Sequence, residues 1–206
     1  MLISHGPLTR MGVVSDRGRF LWTNEPMLMI VGGTIEQPSG TLTDALGETM
    51  AVERAVRHPR VIDQRCQDAF YELLGGVRHL TRLLPIDEAD FGSRGVLVVA
   101  VPAVHPRLTS EGSSVPTLAT ASWGGLERLS NRELDVLRLM AIKACTKAVA
   151  ATLDRSVKTI ENQIQAIHDK LAISMRGELV RIAVQAGLHA FEEDEWRALI
   201  ASRAVA

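Results

Sequence analysis

The chain has 206 residues, 46% hydrophobic and 23% charged, which is typical of one or two folded domains and not of a disordered chain. Its formal net charge is −1, and its two cysteines, Cys66 and Cys145, suggest neither a zinc cluster nor a disulfide framework. No apolar run approaches the roughly 18 residues of a membrane helix, and the N-terminus lacks a signal-peptide pattern. We therefore expect a cytoplasmic protein with no membrane partner.

The charges are distributed unevenly along the chain. Residues 1–125 contain 11 Arg, no Lys and 13 acidic residues, whereas residues 126–190 contain all four Lys and have 10 basic residues against 7 acidic ones. A basic block in a mildly acidic chain indicates an anionic partner for that block.

The N-terminal part has the pattern of a mixed α+β unit. Asp16-Arg17-Gly18-Arg19 is a hairpin turn signal, Asn24 can cap a short helix, and His58-Pro59 closes a second one. His58 itself is expected at the surface. The predicted order is strands 12–16 and 20–23, helices 25–31 and 43–57, and strands 69–74, 77–84 and 95–104.

This element order resembles a PAS domain, a small sensor and dimerisation fold. The segment GVVSDRGRFLWTNEPMLMIVGG resembles the opening of that fold, and GGVRHLTRLLPIDEADFGSRGVLVVAVPAV resembles its closing hairpin. The resemblance implies a unit that dimerises and that senses a signal. It leaves open a small ligand in a PAS pocket, and the residues themselves require no cofactor.

A stretch rich in Ser, Thr, Gly and Pro follows, with no amphipathic period, and it predicts a linker. The expected organisation is a PAS-like domain over 1–104, a linker over 105–125, an all-α four-helix domain over 126–190 and an amphipathic tail over 191–206.

Helix signals are sharper in the C-terminal part. Ser130 and Glu133 form a capping box that starts the first helix, and a short second helix spans 147–153. Ser156 caps a third helix that ends at Leu171. The fourth, over 176–186, stops at Gly187.

The third helix, 156–171, has two different faces. Its apolar residues recur at spacings of three and four, while Lys158, Glu161, Asn162 and Gln165 follow another face. Asn and Gln can pair with adenine in the major groove of DNA, and Glu can accept a hydrogen bond from cytosine. Two short helices joined by a tight turn, the second with a polar face, indicate a helix-turn-helix.

The whole block resembles the LuxR-type (GerE-like) DNA-binding domain. The motifs that match are LSNRELDVLRLMA, SVKTIENQIQAIHDKL and RGELVRIAVQAGL. The resemblance implies that Glu161, Asn162 and Gln165 read base edges. It also implies phosphate contacts by a second set: Thr146, Lys147, Lys158, Thr159, Gln163 and Lys170.

The sequence departs from this family before the second helix. Lys143 replaces a glycine of the usual turn, and Ala148 replaces the usual Glu. These changes motivate an alternative hypothesis, a protein-interaction module whose degenerate helix-turn-helix no longer binds DNA.

The favoured hypothesis is a transcription regulator that binds double-stranded DNA in a sequence-specific manner, acts as a homodimer and is controlled through its PAS-like domain. An enzyme is not indicated, because the sequence contains no phosphate-binding glycine loop, nucleophile elbow or metal-ligand cluster.

Overall fold

A computed structural model describes residues 9–35, 37–38, 40–105, 115–143 and 145–203. In its N-terminal part, five strands form one antiparallel sheet in the order β2-β1-β5-β4-β3, and the helices between β2 and β3 pack on one face of the sheet. This confirms the predicted α+β unit. The strands are β1 Arg10–Ser15, β2 Phe20–Thr23, β3 Asp68–Leu74, β4 Val77–Ile86 and β5 Gly95–Pro102.

The helices of this unit differ from the predicted ones in several respects. The single helix expected over 43–57 is two helices, because Gly47 between them has a φ of 76°, which lies outside the helical region. Asn24 caps the first helix as predicted, accepting a hydrogen bond from the Met27 N–H. The helices are α1 Glu25–Val31, α2 Leu42–Leu46, α3 Glu48–Ala55, α4 His58–Gln64 and a single turn, α5 Glu88–Phe91.

His58-Pro59 was expected to end the helical region, but a further helix, α4, begins there. Pro59 stands in the first turn of α4, where a missing N–H breaks no helical hydrogen bond. His58, the first residue of α4, is buried, 6% exposed, and not at the surface as expected.

The C-terminal part is all helical, as predicted. Its core consists of fully buried side chains from several helices, among them Leu134, Leu137, Val149 and Leu179. The helices are α6 Asn131–Ile142, α7 Thr146–Thr152, α8 Val157–Leu171, α9 Arg176–Gln185 and α10 Glu193–Ser202.

The predicted capping box at the start of α6 is confirmed. The Ser130 hydroxyl accepts from the Glu133 N–H at 3.3 Å, and the Glu133 carboxylate accepts from the Ser130 N–H at 2.6 Å. Leu129 and Leu134 flank this cap and are both buried, as a hydrophobic staple requires.

The tail helix α10 packs on its own unit. Trp196 is buried and its indole N–H donates to Asp135 at 2.7 Å, while Arg138 donates to Glu193 at 2.7 Å and to the Phe191 carbonyl at 2.8 Å. These bonds tie α10 to α6, so the tail completes the helical core.

The end of the predicted linker is packed against the sheet. Within residues 115–123, the Pro116 carbonyl accepts from the Tyr71 N–H, and the Leu118 N–H donates to the Tyr71 carbonyl. This segment therefore runs alongside β3, the edge strand. The stretch 106–114 lies outside the described residues, and the division of the chain into a linker and two domains stays a prediction.

A cavity of about 40 Å³ lies between the sheet and α1–α4. Its walls are mostly apolar, and one end carries the buried ion pair of Arg54 and Glu72, whose closest N···O distance is 2.5 Å. Thr81 also donates to Glu72, and His58 lines the same space. A volume of this size holds about one water molecule.

We predict that the free energy of unfolding falls as the pH is lowered from about 6.5 towards 4. Burial lowers the pKa of His58 to about 4; burial and the nearby Arg10 lower the pKa of His79 to about 4. Over this range the unfolded chain binds more protons than the folded one, which costs up to about 1.4 kcal/mol per pH unit for each histidine.

Urea unfolding of the full chain at a series of pH values measures this slope. His58→Leu should reduce the slope in this range by the contribution of one histidine. An unchanged slope in that variant would contradict the prediction.

Candidate nucleic-acid interface

The orientation of α8 is fixed by its buried face. Ile160 and Ile167 are fully buried, and Ile164 and Leu171 pack partly buried against the same core. Val157, at the start of the predicted apolar stripe, is 40% exposed instead. Because this face is held against α6 and α7, the opposite face of α8 points to solvent.

The exposed face of α8 carries the predicted base-reading side chains. Glu161, Asn162 and Gln165 are all exposed, as is Lys158 one turn earlier. The Gln165 amide nitrogen donates to Asp169 at 2.9 Å, which orients the amide along the helix surface. The structure thus brings these residues together on one open helix face.

Two of the predicted phosphate-contacting residues on α8 are less exposed. Ser156 caps the helix by accepting from the Thr159 N–H at 3.0 Å, and its hydroxyl lies 2.8 Å from the Thr159 hydroxyl. Gln163 is half-buried, and its amide oxygen has no hydrogen-bond partner within the described part of the chain.

Lys170 is engaged within the domain. Its ammonium group lies 2.7 Å from the Glu133 carboxylate, which is the same carboxylate that caps α6. Burial alone would raise the pKa of Glu133, but the bonds from Lys170 and Ser130 outweigh it and hold this pKa below its ordinary value. Lys170 therefore fastens α8 to the start of α6.

A basic side chain that sequence reasoning missed lies beside the start of α7. Arg176, from the first turn of α9, donates to the Thr146 hydroxyl at 2.9 Å, next to the exposed Lys147. Arg155, in the turn before α8, is also exposed. Both arginines belong to the basic block that the charge distribution identified, but only the fold brings Arg176 next to Thr146.

The turns around α7 show how the chain accommodates its departures. Lys143 ends α6 with an extended backbone at φ −104°, a conformation that needs no glycine, and Ala144 lies outside the described residues. The turn between α7 and α8 is made by Asp154 at φ 51°, and the Arg155 N–H donates to the Ala150 carbonyl. A helix-turn-helix therefore forms from this sequence.

The described residues contain neither a metal-binding cluster nor a membrane-spanning helix. No group of three or more His, Cys, Asp or Glu side chains in them could hold a metal ion. None of their helices has both the length and the apolar character needed to cross a membrane.

Comparison with known proteins places the helical unit in a family. Residues 127–183 match the model of the bacterial regulatory proteins of the luxR family, GerE. The transcriptional activator protein ExaE of Pseudomonas putida is 36% identical over 63 residues, which are 31% of this chain and 29% of that protein. The chain thus matches under a third of that relative's length, and residues 127–183 form a LuxR-type domain.

Solved structures match over more of the chain at low identity. VqmA of Vibrio cholerae without its target DNA is 16% identical with a TM-score of 0.42, over 96% of this chain and 90% of that one. The complex of VqmA with ligand and DNA is 15% identical with a TM-score of 0.43, over 93% and 87%. A phage VqmA–DPO complex is 19% identical with a TM-score of 0.42, over 89% and 86%.

We predict that Lys170→Met lowers the free energy of unfolding by about 1 kcal/mol, because it leaves the largely buried Glu133 carboxylate without its cation. Urea unfolding measures the loss. Lys158→Met is the matched control, since Lys158 is an exposed lysine of the same helix and its loss should cost under about 0.5 kcal/mol.

A double-mutant cycle separates this ion pair from the helix cap. Glu133→Gln keeps the capping hydrogen bond but removes the charge, so its combination with Lys170→Met should show a coupling energy of about 1 kcal/mol. Additive effects would show that the pair contributes nothing to stability.

Proposed function

We propose that this chain is a sequence-specific, DNA-binding transcription regulator in which α8 reads the major groove. The observation that carries the proposal is the exposed face of α8, on which Glu161, Asn162 and Gln165 lie together while the opposite face is locked into the core. A helix presented in this way fits the major groove of B-DNA. The LuxR-type domain over residues 127–183 supports the same function.

The three base-reading side chains have different roles in this proposal. Asn162 offers both a donor and an acceptor and would pair bidentately with an adenine. Glu161 would accept from a cytosine amino group. Gln165 already donates to Asp169, and its oxygen would accept from a base amino group beside that bond.

The phosphate contacts would come from residues that flank this face. Lys147, Lys158 and Arg155 are exposed, and Arg176 adds a further cation beside Thr146. Thr146, Thr159 and Gln163 would add polar contacts to the DNA phosphates. Lys170 would contact both Glu133 and a phosphate. Such contacts position the helix without reading sequence.

Helix-turn-helix proteins commonly bind paired half-sites as symmetric dimers, so we propose a cytoplasmic homodimer as the active form. The five-stranded unit would then act as the sensor, with its small cavity as the place where a signal acts. Regulation would be a shift of population between arrangements that space the two α8 helices correctly and arrangements that do not.

One observation favours the second candidate function, a protein-interaction module without DNA binding. Lys170 is paired with Glu133, and Thr146 is bonded to Arg176, so two of the expected phosphate-contacting groups are engaged inside the domain. The departures at Lys143 and Ala148 point in the same direction. Direct binding measurements separate the two candidates.

We predict that the full chain binds a duplex of arbitrary sequence with an affinity that falls steeply with salt. About four phosphate contacts would give a log–log slope of roughly −4. Lys158→Ala should weaken binding and reduce the magnitude of the slope by about 1. Fluorescence anisotropy of a labelled duplex across a salt series measures both quantities.

Arg60→Ala is the charge-matched control, because Arg60 is exposed on α4 in the other unit and is expected to touch no DNA. Its affinity and slope should equal those of the unchanged chain. Absence of binding, or identical effects of Lys158→Ala and Arg60→Ala, would rule out this DNA interface and favour the interaction module.

A further inference from the structure

The hairpin of β3 and β4 belongs to both parts of the molecule. Leu73 and Arg78 pair across it and point to the side away from the cavity, where Leu73 is fully buried in the core of the helical unit. The neighbouring pair, Glu72 and His79, points to the opposite side, and Glu72 lines the cavity. Consecutive residues of one strand therefore serve the cavity and the DNA-binding unit.

Arg78 is the side chain on which the two parts converge. It is fully buried, and its guanidinium lies 3.9 Å from the ring centroid of Tyr71 in the sheet and 5.1 Å from that of Phe191 in the helical unit. The same group donates to the Ala103 carbonyl at 2.6 Å, and the Arg78 backbone N–H donates to the Ala186 carbonyl at 2.8 Å. One residue of β4 thus contacts β3 and the residues that directly follow β5 and α9.

Close backbone packing surrounds this contact. A Cβ placed on Gly187 would lie 3.1 Å from the Arg78 Cβ and 3.1 Å from the Val104 Cα, and one on Gly76 would lie 2.6 Å from the Trp123 carbonyl oxygen. Both glycines also have positive φ angles, 69° and 79°. The two surfaces are packed so closely that neither glycine has room for a side chain. The helical unit therefore cannot slide over the hairpin without breaking these contacts.

A second connection runs from the cavity to the same interface. Arg54, which pairs with Glu72 at the polar end of the cavity, also donates to the Thr120 hydroxyl at 3.0 Å. Glu53 accepts from the Ala119 and Thr120 N–H groups at 2.8 and 3.0 Å. The segment 115–123 is therefore held by α3 on one side and by β3 on the other.

We infer that the β3–β4 hairpin couples the state of the cavity to the docked position of the DNA-binding unit, with Arg78 as the residue that fastens the two. A change at the Arg54–Glu72 pair moves β3 and the Thr120 segment together, because both contact that pair. The regulatory meaning of this coupling rests on the proposed function, but the coupling itself is a property of the chain without DNA.

Hydrogen exchange of the full chain, without DNA, tests the coupling at single amides. The reporters are three N–H groups whose acceptors lie across the interface. The Gly76 N–H donates to the Ser122 carbonyl, the Arg78 N–H to the Ala186 carbonyl, and the Ser122 N–H to the Leu73 carbonyl. Glu72→Gln changes a side chain on the cavity side of β3 and removes the charge that pairs with Arg54. We expect it to speed exchange at these reporters at least about tenfold, while amides within α8 keep their protection.

Arg78→Met removes the fastening group and keeps an apolar stem of similar length. It should also speed exchange at the reporters at least about tenfold, whereas Arg82→Met, a matched change at an exposed position on the same face of β4, should not. Retained protection in the β1–β5 ladder shows that the variant is folded. If Arg78→Met does not fold, Arg78→Lys is measured instead, and it should also speed exchange at the reporters.

Two results would overturn the inference. One is wild-type exchange at the reporters in Glu72→Gln, with changes confined to the cavity walls. The other is equal behaviour of Arg78→Met and Arg82→Met. Because neither result involves DNA, a chain that failed to bind DNA could still confirm or refute the coupling.

Discussion

The burial of one face of α8 is the constraint on which the rest of the structure depends. Ile160 and Ile167 are removed from solvent against α6 and α7, and burial of such side chains is worth roughly 1.5–3 kcal/mol each. This contact sets the rotation of the helix about its axis. Asn162, two residues after Ile160, consequently faces outward, so the residues that stabilise the domain also determine which side chains of α8 are exposed to solvent.

Local sequence signals were sufficient for most of the fold. The caps at Asn24, Ser130 and Ser156 and the apolar periodicity of α8 involve residues a few positions apart. All three caps are present, and so is the apolar face of α8 after its first residue. The prediction of a single helix over 43–57 was wrong, because a glycine within a helical pattern is compatible with either a continuous helix or a break. The backbone at Gly47 adopts the break.

The site was partly accessible to sequence reasoning. Exposure of Glu161 and Asn162 follows from the period of one helix, which the sequence carries. Lys170 and Glu133, which form an ion pair, are 37 positions apart in the sequence. Arg78 and Phe191, which are in contact, are more than 100 positions apart. No local pattern encodes contacts of that kind, because they arise only when separate elements pack together.

The most direct test of sequence-specific reading by α8 is selection of bound duplexes from a random pool by the full chain at a stated salt concentration. We expect a paired half-site to be enriched, and we expect Asn162→Ala to lose the preference at one base position of each half-site while still binding DNA. Failure of the full chain to enrich any motif, or an unchanged motif with Asn162→Ala, would contradict the proposed role of α8.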